Sequence, residues 1–412
     1  MTTDEVKIPA ASGTGDSSQC GFSVAICGDL IAIGAPFAGF GNGFPGQVYL
    51  FMRDRNDPER WNQTALLSGS GTRNGDGFGW AVSLSGTKVV VGAPYAGSGG
   101  KDPGRVYVFE RNPGEKTGWS EVSILSASDA NDGDWFGSTV SLYGNTLAVG
   151  SPRPCSVSNC GGRVYLFERD STAGGRNLWK EASILSASDT ECNDHFGSAI
   201  SLCADILLVG AYYADQKASN RGKAYLFQRS CREGKNWKEI KILSASDESD
   251  YNQFGCSVSV SGTLAVIGDD QAVSPDTCRG KAYVFHKDCG GVDNWGEVRN
   301  FTARDKESCD EFGFSVAVSG STVVIGAARA ASGGHQRGQA YVKDFAPELT
   351  GYAVSHGVPA CRIPPMTPVG ILSLIHNLRT GIQPPGQIQP VKAEKFSGIL
   401  KPDSEKPPIF RK

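Results

Sequence analysis

The sequence has little of what marks the commonest chemistries. Its 412 residues include three methionines and five histidines, and the formal net charge is only −3. His195, His286, His335, His356 and His376 never fall at metal-ligand spacing, and no CxxC pair exists, which removes the usual zinc signatures. The near-neutral balance offers no basic stripe of the kind a nucleic-acid surface shows, so no nucleic-acid partner is expected. No run approaches the roughly 20 apolar residues of a membrane-spanning helix. The longest, Val369 to Leu378, is too short, so no transmembrane segment is expected. The opening Met1-Thr2-Thr3-Asp4-Glu5-Val6 has neither a basic start nor an apolar stretch and does not read as a secretory signal.

What is present is glycine, 53 residues of it, between short apolar runs, and the runs repeat. Phe-Gly pairs stand at Phe78-Gly79, Phe136-Gly137, Phe196-Gly197, Phe254-Gly255 and Phe312-Gly313, with Cys20-Gly21 in the same place in the first unit. The steps between these glycines are 58, 58, 60, 58 and 58 residues. Trp61, Trp119, Trp179, Trp237 and Trp295 each precede the next of these phenylalanines by 17 residues. Tyr49, Tyr107, Tyr165, Tyr225, Tyr283 and Tyr341 mark a third register. A period of this length signals an array of like units, each unable to bury its apolar surface alone.

Each unit divides into four strand-like pieces. In the third they are Phe136 to Leu142, Thr146 to Val149, Arg163 to Glu168 and Trp179 to Leu185. The third piece carries Val164, Tyr165, Leu166 and Phe167 in succession, so both of its faces should be buried. Four strands per unit with both sheet faces covered fit blades stacked around an axis. The reading is an all-β fold, a β-propeller of four-stranded antiparallel blades spanning residues 1–346. Six blades are favoured, and seven are the alternative. Val6-Lys7-Ile8-Pro9-Ala10 lines up with Val122-Ser123-Ile124-Leu125-Ser126, the fourth strand of a blade. It is therefore expected to close the ring by completing the last unit, which loses the pattern after Val342, and to remove an exposed sheet edge. Residues 347–412 hold 11 of the 21 prolines and lack the period, and are expected to form a disordered tail or a loosely packed extension.

The strings Phe136-Gly-Ser-Thr-Val-Ser-Leu, Val91-Gly92-Ala93-Pro94, Ile33-Gly34-Ala35-Pro36 and Leu185-Ser-Ala-Ser-Asp189 resemble the FG-GAP repeat, the blade unit of the integrin α-subunit propeller and of many microbial surface proteins. The resemblance spans roughly residues 6 to 345 and is closest to the microbial branch. It implies an extracellular or cell-surface adhesion module, or a lectin, binding a protein or glycan. Integrin blades that bind calcium carry aspartates between their first and second strands. Here those turns are Ser85-Gly86-Thr87, Tyr143-Gly144-Asn145 and Ser261-Gly262-Thr263, too poor in carboxylates for a cation.

Acidic residues gather instead before each Phe-Gly, most densely at Asp129-Ala-Asn131-Asp132-Gly133-Asp134. Asp129, Asn131, Asp132 and Asp134 could hold calcium weakly. They could equally brace a tight turn through their side-chain oxygens, which explains why every blade has them. In the resembling propellers this loop and the loop after the GAP position share one face. There Tyr95, Tyr212 and Tyr213 offer stacking surfaces, and Asp269 and Asp270, which replace the Ala-Pro of the motif, offer acceptors for a ligand. The alternative for the tyrosines is that they only cover the blade tops. The fixed register of the tryptophans points to packing. Cys155 and Cys160 flank a short loop and could form a disulfide. Cys27, Cys203 and Cys256 lie in apolar runs as small hydrophobes. The sequons Asn62-Gln63-Thr64 and Asn300-Phe301-Thr302 hint at secretion and glycosylation. Gly313-Phe-Ser315-Val-Ala317 fails as a nucleophile elbow for want of the last glycine, and Gly97-Ser-Gly-Gly-Lys101 has the wrong spacing for a phosphate loop. With no contiguous catalytic motif, the chain is not expected to be an enzyme; a hydrolase or lyase whose site is assembled from distant loops is the lesser alternative.

Overall fold

The computed structural model describes residues 18–39, 45–97, 103–153, 160–170, 178–214, 221–230, 236–247, 252–274, 277–278, 280–289, 291, 293–303, 310–332, 335–336, 338–345 and 389–391. They form six four-stranded antiparallel sheets arranged in a ring, a six-bladed β-propeller with no helix among the described residues. Blade two is typical: Ala81–Ser85 innermost, then Lys88–Ala93, Arg105–Arg111 and the outermost Trp119–Leu125. Its second and third strands, KVVVGA and RVYVFER, are apolar at successive positions and buried on both faces. The outer strand alternates instead, because only one of its faces meets a neighbour.

The joints between blades explain the repeat. The FG glycine takes a left-handed backbone, φ +94° at Gly79 and +90° at Gly137. Its carbonyl presses against the glycine of the preceding blade's GAP motif, so a Cβ on Gly92 would run into the carbonyl of Gly137. Around each contact the apolar faces interleave, as Val90, Val106, Val108, Leu125 and Ala127 do with Phe136, Val140, Leu142, Leu147 and Val149. Serine hydroxyls on the inner strands reach across: Ser83, Ser141, Ser201 and Ser259 accept the amides of Leu142, Leu202, Val260 and Val318 at 2.9–3.0 Å. Trp179 and Trp295 are buried in the same joints, and Trp61 is buried in the corresponding face of blade one, which accounts for their register.

The Ser-Ala-Ser-Asp motif is a clasp. Ser128 grips Glu181 of the next blade through its amide (3.0 Å) and hydroxyl (2.6 Å), and Ser70–Glu121, Ser188–Glu239 and Ser246–Glu297 repeat the contact. The following aspartates, Asp189 and Asp247, accept the hydroxyls of Tyr225 (2.9 Å) and Tyr283 (2.8 Å). Burial alone would raise these two carboxyls. The hydrogen bonds from Lys223 and Lys281, with those of the tyrosines, outweigh it and hold both below the usual carboxylate range.

In blade six the outer position is held by Gln389–Val391, paired with Gln339–Asp344. The segment expected there, Val6–Ala10, lies outside the described residues. A proline at position 390 suits an outermost strand, which has no further partner to donate to.

Candidate ligand-binding face

Two connections of each blade meet at one end of the ring. The entry loop before Phe-Gly is tied to the loop after the GAP position by backbone bonds, Tyr95 N–H to the Asp76 carbonyl (3.2 Å), Tyr213 to Asp194 (3.3 Å) and Arg329 to Asp310 (3.1 Å). The residue just before the phenylalanine sits in the left-handed region in four blades without being glycine: Gln19 (48°), Trp135 (60°), His195 (58°) and Glu311 (54°). Blade two has Gly77 there, at 71°. Glycine is free in this conformation, whereas another residue costs roughly 1–2 kcal/mol. Retaining tryptophan, histidine and glutamate at such a position is a local cost that only the side chain can offset, and strain of this kind collects at ligand sites.

These side chains join a continuous arc. Trp80 packs against Phe22 (centroids 4.6 Å apart), Phe37 (6.4 Å) and Tyr95 (5.3 Å), and Tyr95 packs edge-on to Trp135 at 5.7 Å. Arg153 lies over the Trp135 ring at 4.1 Å. His195 follows, edge-on to Tyr212 (5.3 Å) and Tyr213 (5.0 Å), with its Nδ1 3.0 Å from the Tyr212 hydroxyl. Burial, then the charge of Arg153, holds His195 down to about 4, so its imidazole is neutral at neutral pH. Beyond the tyrosines the arc turns polar at Asp270, Glu311 and Arg329, the last two paired at 3.0 Å. Burial raises Asp270 above the ordinary carboxylate range. The arc is half-buried through most of its length, with Phe22, Arg153 and Arg329 exposed.

Tyr95, Tyr212, Tyr213 and Asp270 all lie along this arc. Asp269 does not. Strand alternation turns it to the face of Ile267 and Tyr283, in the joint between blades four and five, where it is fully buried and its Oδ1 accepts the Gln253 amide at 2.9 Å. Desolvation pushes it up to about 7. Much of the loops beyond the GAP position lies outside the described residues.

The calcium reading of the acidic loop meets a donor set already in use. Asp129 is ion-paired with Arg163 and accepts the Tyr165 hydroxyl at 2.7 Å. Asp134 is buried and accepts the Asn131 amide at 2.8 Å, and the Asn131 side chain donates to the Asp129 carbonyl at 2.8 Å. Asp132 lies in the same loop, exposed. These residues brace a turn and clasp a blade. They do not form an oxygen cage, and among the described residues no cluster of His, Cys, Asp or Glu is arranged for a metal ion.

The expected Cys155–Cys160 bridge is replaced by Cys160–Cys192, 32 residues apart in sequence. Cys155 lies outside the described residues. The Asn193 amide donates to the Cys160 carbonyl at 3.0 Å, bringing the loop of blade three beside the entry loop of blade four, three residues before His195.

The FG-GAP repeat family matches residues 61–109, 119–167, 179–227, 237–285 and 295–343. The chain belongs to the FG-GAP repeat family. No curated protein matches this sequence. Among solved structures the chain is similar to the periplasmic gluconolactonase of Pseudomonas aeruginosa, at 13% identity over 80% of this chain and 82% of that one, with a TM-score of 0.49. It is also similar to Sqt1 from Chaetomium thermophilum, at 13% identity over 80% and 70% of the two chains, with a TM-score of 0.45.

The first of these corrects one expectation. A gluconolactonase is an enzyme, so the exclusion of catalysis from this chain does not stand. The physical reason is that a propeller assembles its site from loops far apart in sequence, and a missing contiguous motif tests nothing. The same dispersal hid Phe22, Phe37, Trp80, Trp135, Arg153, His195, Glu311 and Arg329. The signal for them was present: the residues flanking each FG-GAP phenylalanine-glycine pair change from Gly to Trp to His to Glu while the pair itself holds. No helix among the described residues is long and apolar enough to cross a membrane.

Proposed function

We propose that this FG-GAP propeller is a binding module that recognises a glycan or a protein on the loop-rich face of its ring. The observation that carries the reading is the aromatic arc from Phe22 to Tyr213, supported at Trp135 and His195 by strained backbone. Ring faces presented in series, bordered by Arg153, His195 and Asp270, suit the apolar faces and hydroxyl edges of sugar rings, which favours a glycan over a protein partner. A surface or otherwise extracellular role in adhesion is supported by the Cys160–Cys192 disulfide, since such bridges persist in oxidising compartments.

The test is a glycan-array screen of the full chain, with calcium and again with chelator, followed by capture from native surface extracts. Binding to one sugar class, or capture of a surface protein, that falls at least tenfold in Trp135→Ala with the fold intact is expected. Binding that Trp135→Ala and Tyr95→Ala leave unchanged, or no ligand in either screen, would overturn the proposal. Loss of binding under chelator would return the Asp129 loop to consideration as a metal site.

A further inference from the structure

Among the described residues, blades three and four are the two tied to each other by a covalent bond, and the loops at their joint are built differently from those before it. Phe78 and Phe136 enter their joints by donating their amides to the carbonyls of Pro45 and Pro103, both at 2.9 Å. Phe196 donates instead to Gly161, at 2.7 Å. Proline is excluded there, because a Cβ on Gly161 would run into the Thr190 methyl group and the Glu191 carbonyl. The entry loop of blade four is pressed against this residue, and the fixed φ that proline supplies at the two preceding joints is missing.

The same loop has given up the glycines that relax its counterpart. Blade two turns through Gly75 (φ 87°) and Gly77 (71°), whereas blade four turns through Asn193 (65°) and His195 (58°). Glycine takes this conformation freely and other residues take it at a cost, so something must hold the blade-four turn in place. The Cys160–Cys192 bridge stands at its start, and the neighbouring Asn193 amide donates to the Cys160 carbonyl at 3.0 Å. The constraint then passes along the chain. Asp194 accepts the Tyr213 amide at 3.3 Å, and His195 packs edge-on to Tyr212 and Tyr213. Cys192 is exposed and Cys160 half-buried, so the bridge is open to attack from solvent.

We propose that the Cys160–Cys192 bridge is a redox latch on the ligand-binding face: oxidised, it holds the entry loop of blade four and keeps His195 against Tyr212 and Tyr213; reduced, it lets the loop leave its left-handed turn and takes that end of the arc apart. The proposal rests on the reading of the arc as the ligand site. The reductant is a dithiol. Its thiolate attacks the exposed Cys192 Sγ, the S–S bond breaks, and Cys160 leaves as a thiolate that takes up a proton. The second thiolate of the reductant attacks its own partner sulfur in the mixed disulfide and frees Cys192, which is protonated in turn. Two electrons and two protons thus pass to the protein, and the dithiol becomes a disulfide. Phe196 is fully buried in its joint, so the release stops there and the ring keeps its fold.

The experiment compares the full chain in three forms: oxidised, treated with dithiothreitol, and carrying Cys160→Ser with Cys192→Ser, which isolates this bridge from every other thiol. Amide hydrogen exchange is the first reading. In the reduced chain and in the variant the amides of Asn193 and Tyr213 are expected to exchange at least tenfold faster, while the Tyr95 amide, bonded to Asp76 in the cysteine-free entry loop of blade two, keeps its rate. Unchanged exchange at Asn193 and Tyr213, or an acceleration that Tyr95 shares, overturns the proposal. The second reading is a glycan array probed with the oxidised chain and the variant side by side. Signals at least tenfold weaker for the variant support the latch. Equal signals that Trp135→Ala abolishes overturn its control of binding and leave the arc as the site. If no form binds the array or captures a surface protein, the arc reading fails, and amide exchange alone decides whether the bridge latches the loop.

Discussion

The joint between blades two and three and the seam between blades six and one are made from nearly the same side chains, yet Val140 is buried in the first and Val24 is exposed in the second. Both present a valine-rich second strand, a glycine at the GAP position and an FG-type glycine opposite. The closed joint has in addition a peptide connection, a serine bond from Ser83 and the Ser128–Glu181 clasp. Complementary apolar faces are therefore not enough to bring two blades into register. The connection that leaves one outer strand and enters the next inner strand removes most of the entropy of bringing them together, and the polar bonds then fix the alignment.

The largest effect should come from the glycine at a closed joint. Gly92→Ala drives a methyl into the Gly137 carbonyl and is expected to cost about 3 kcal/mol by urea unfolding, whereas Gly326→Ala at the seam, with only the Ser315 hydroxyl to displace, should cost less than about 1 kcal/mol. Equal losses would mean that the seam is as tight as the other joints.

Asp269 offers a second contrast, because Ala35, Ala93, Ala211 and Ala327 stand at its position in other blades. Its folded value, about 7, lies above its unfolded one, so the carboxyl contributes no penalty at low pH. It withdraws stability as pH rises from about 4 to about 7, by up to about 1.4 kcal/mol per pH unit. Asp269→Ala should thus stabilise the chain at pH 8 and do little at pH 4. A gain independent of pH would show that folding does not shift the Asp269 carboxyl.

Weakening one clasp is expected to matter less. Ser128→Ala removes two hydrogen bonds to a partly exposed carboxylate and should cost about 1 kcal/mol in thermal or urea unfolding. The smallest change belongs to the strained position. Trp135→Gly relieves a left-handed backbone and loses half-buried ring contacts, so stability should stay within about 1 kcal/mol of the parent while ligand binding falls. A large loss of stability would make Trp135 a packing residue.

The blade count, the strand order and the packing role of the tryptophans were legible because each is written into the sequence many times. What occurs once was harder to read. Cys160 pairs across a blade boundary with Cys192, a proximity that exists only after two blades dock, so spacing favoured the wrong partner. Asp269 and Asp270 look alike as neighbours, but a strand sends adjacent side chains to opposite faces, and only Asp270 reaches the arc. Trp80 and Trp135 escaped notice because they stand beside the motif that defines the repeat. The acidic loop was read correctly as a turn brace, but its second task, holding Tyr165 and its counterparts in the next blade, needs the ring to be closed around it.

The left-handed residue at the entry of every blade but the fifth has one more consequence. Its backbone is fixed by the joint below it, while its side chain belongs to the arc on the face above, as where Trp135 meets Tyr95 of the neighbouring blade. Each blade can therefore change what it displays at this point, from Gln19 to Trp135 to Glu311, without renegotiating how blades fit together. The face of the ring behaves like a lock with separately set pins, in which specificity can drift one blade at a time while the barrel that holds the pins stays the same.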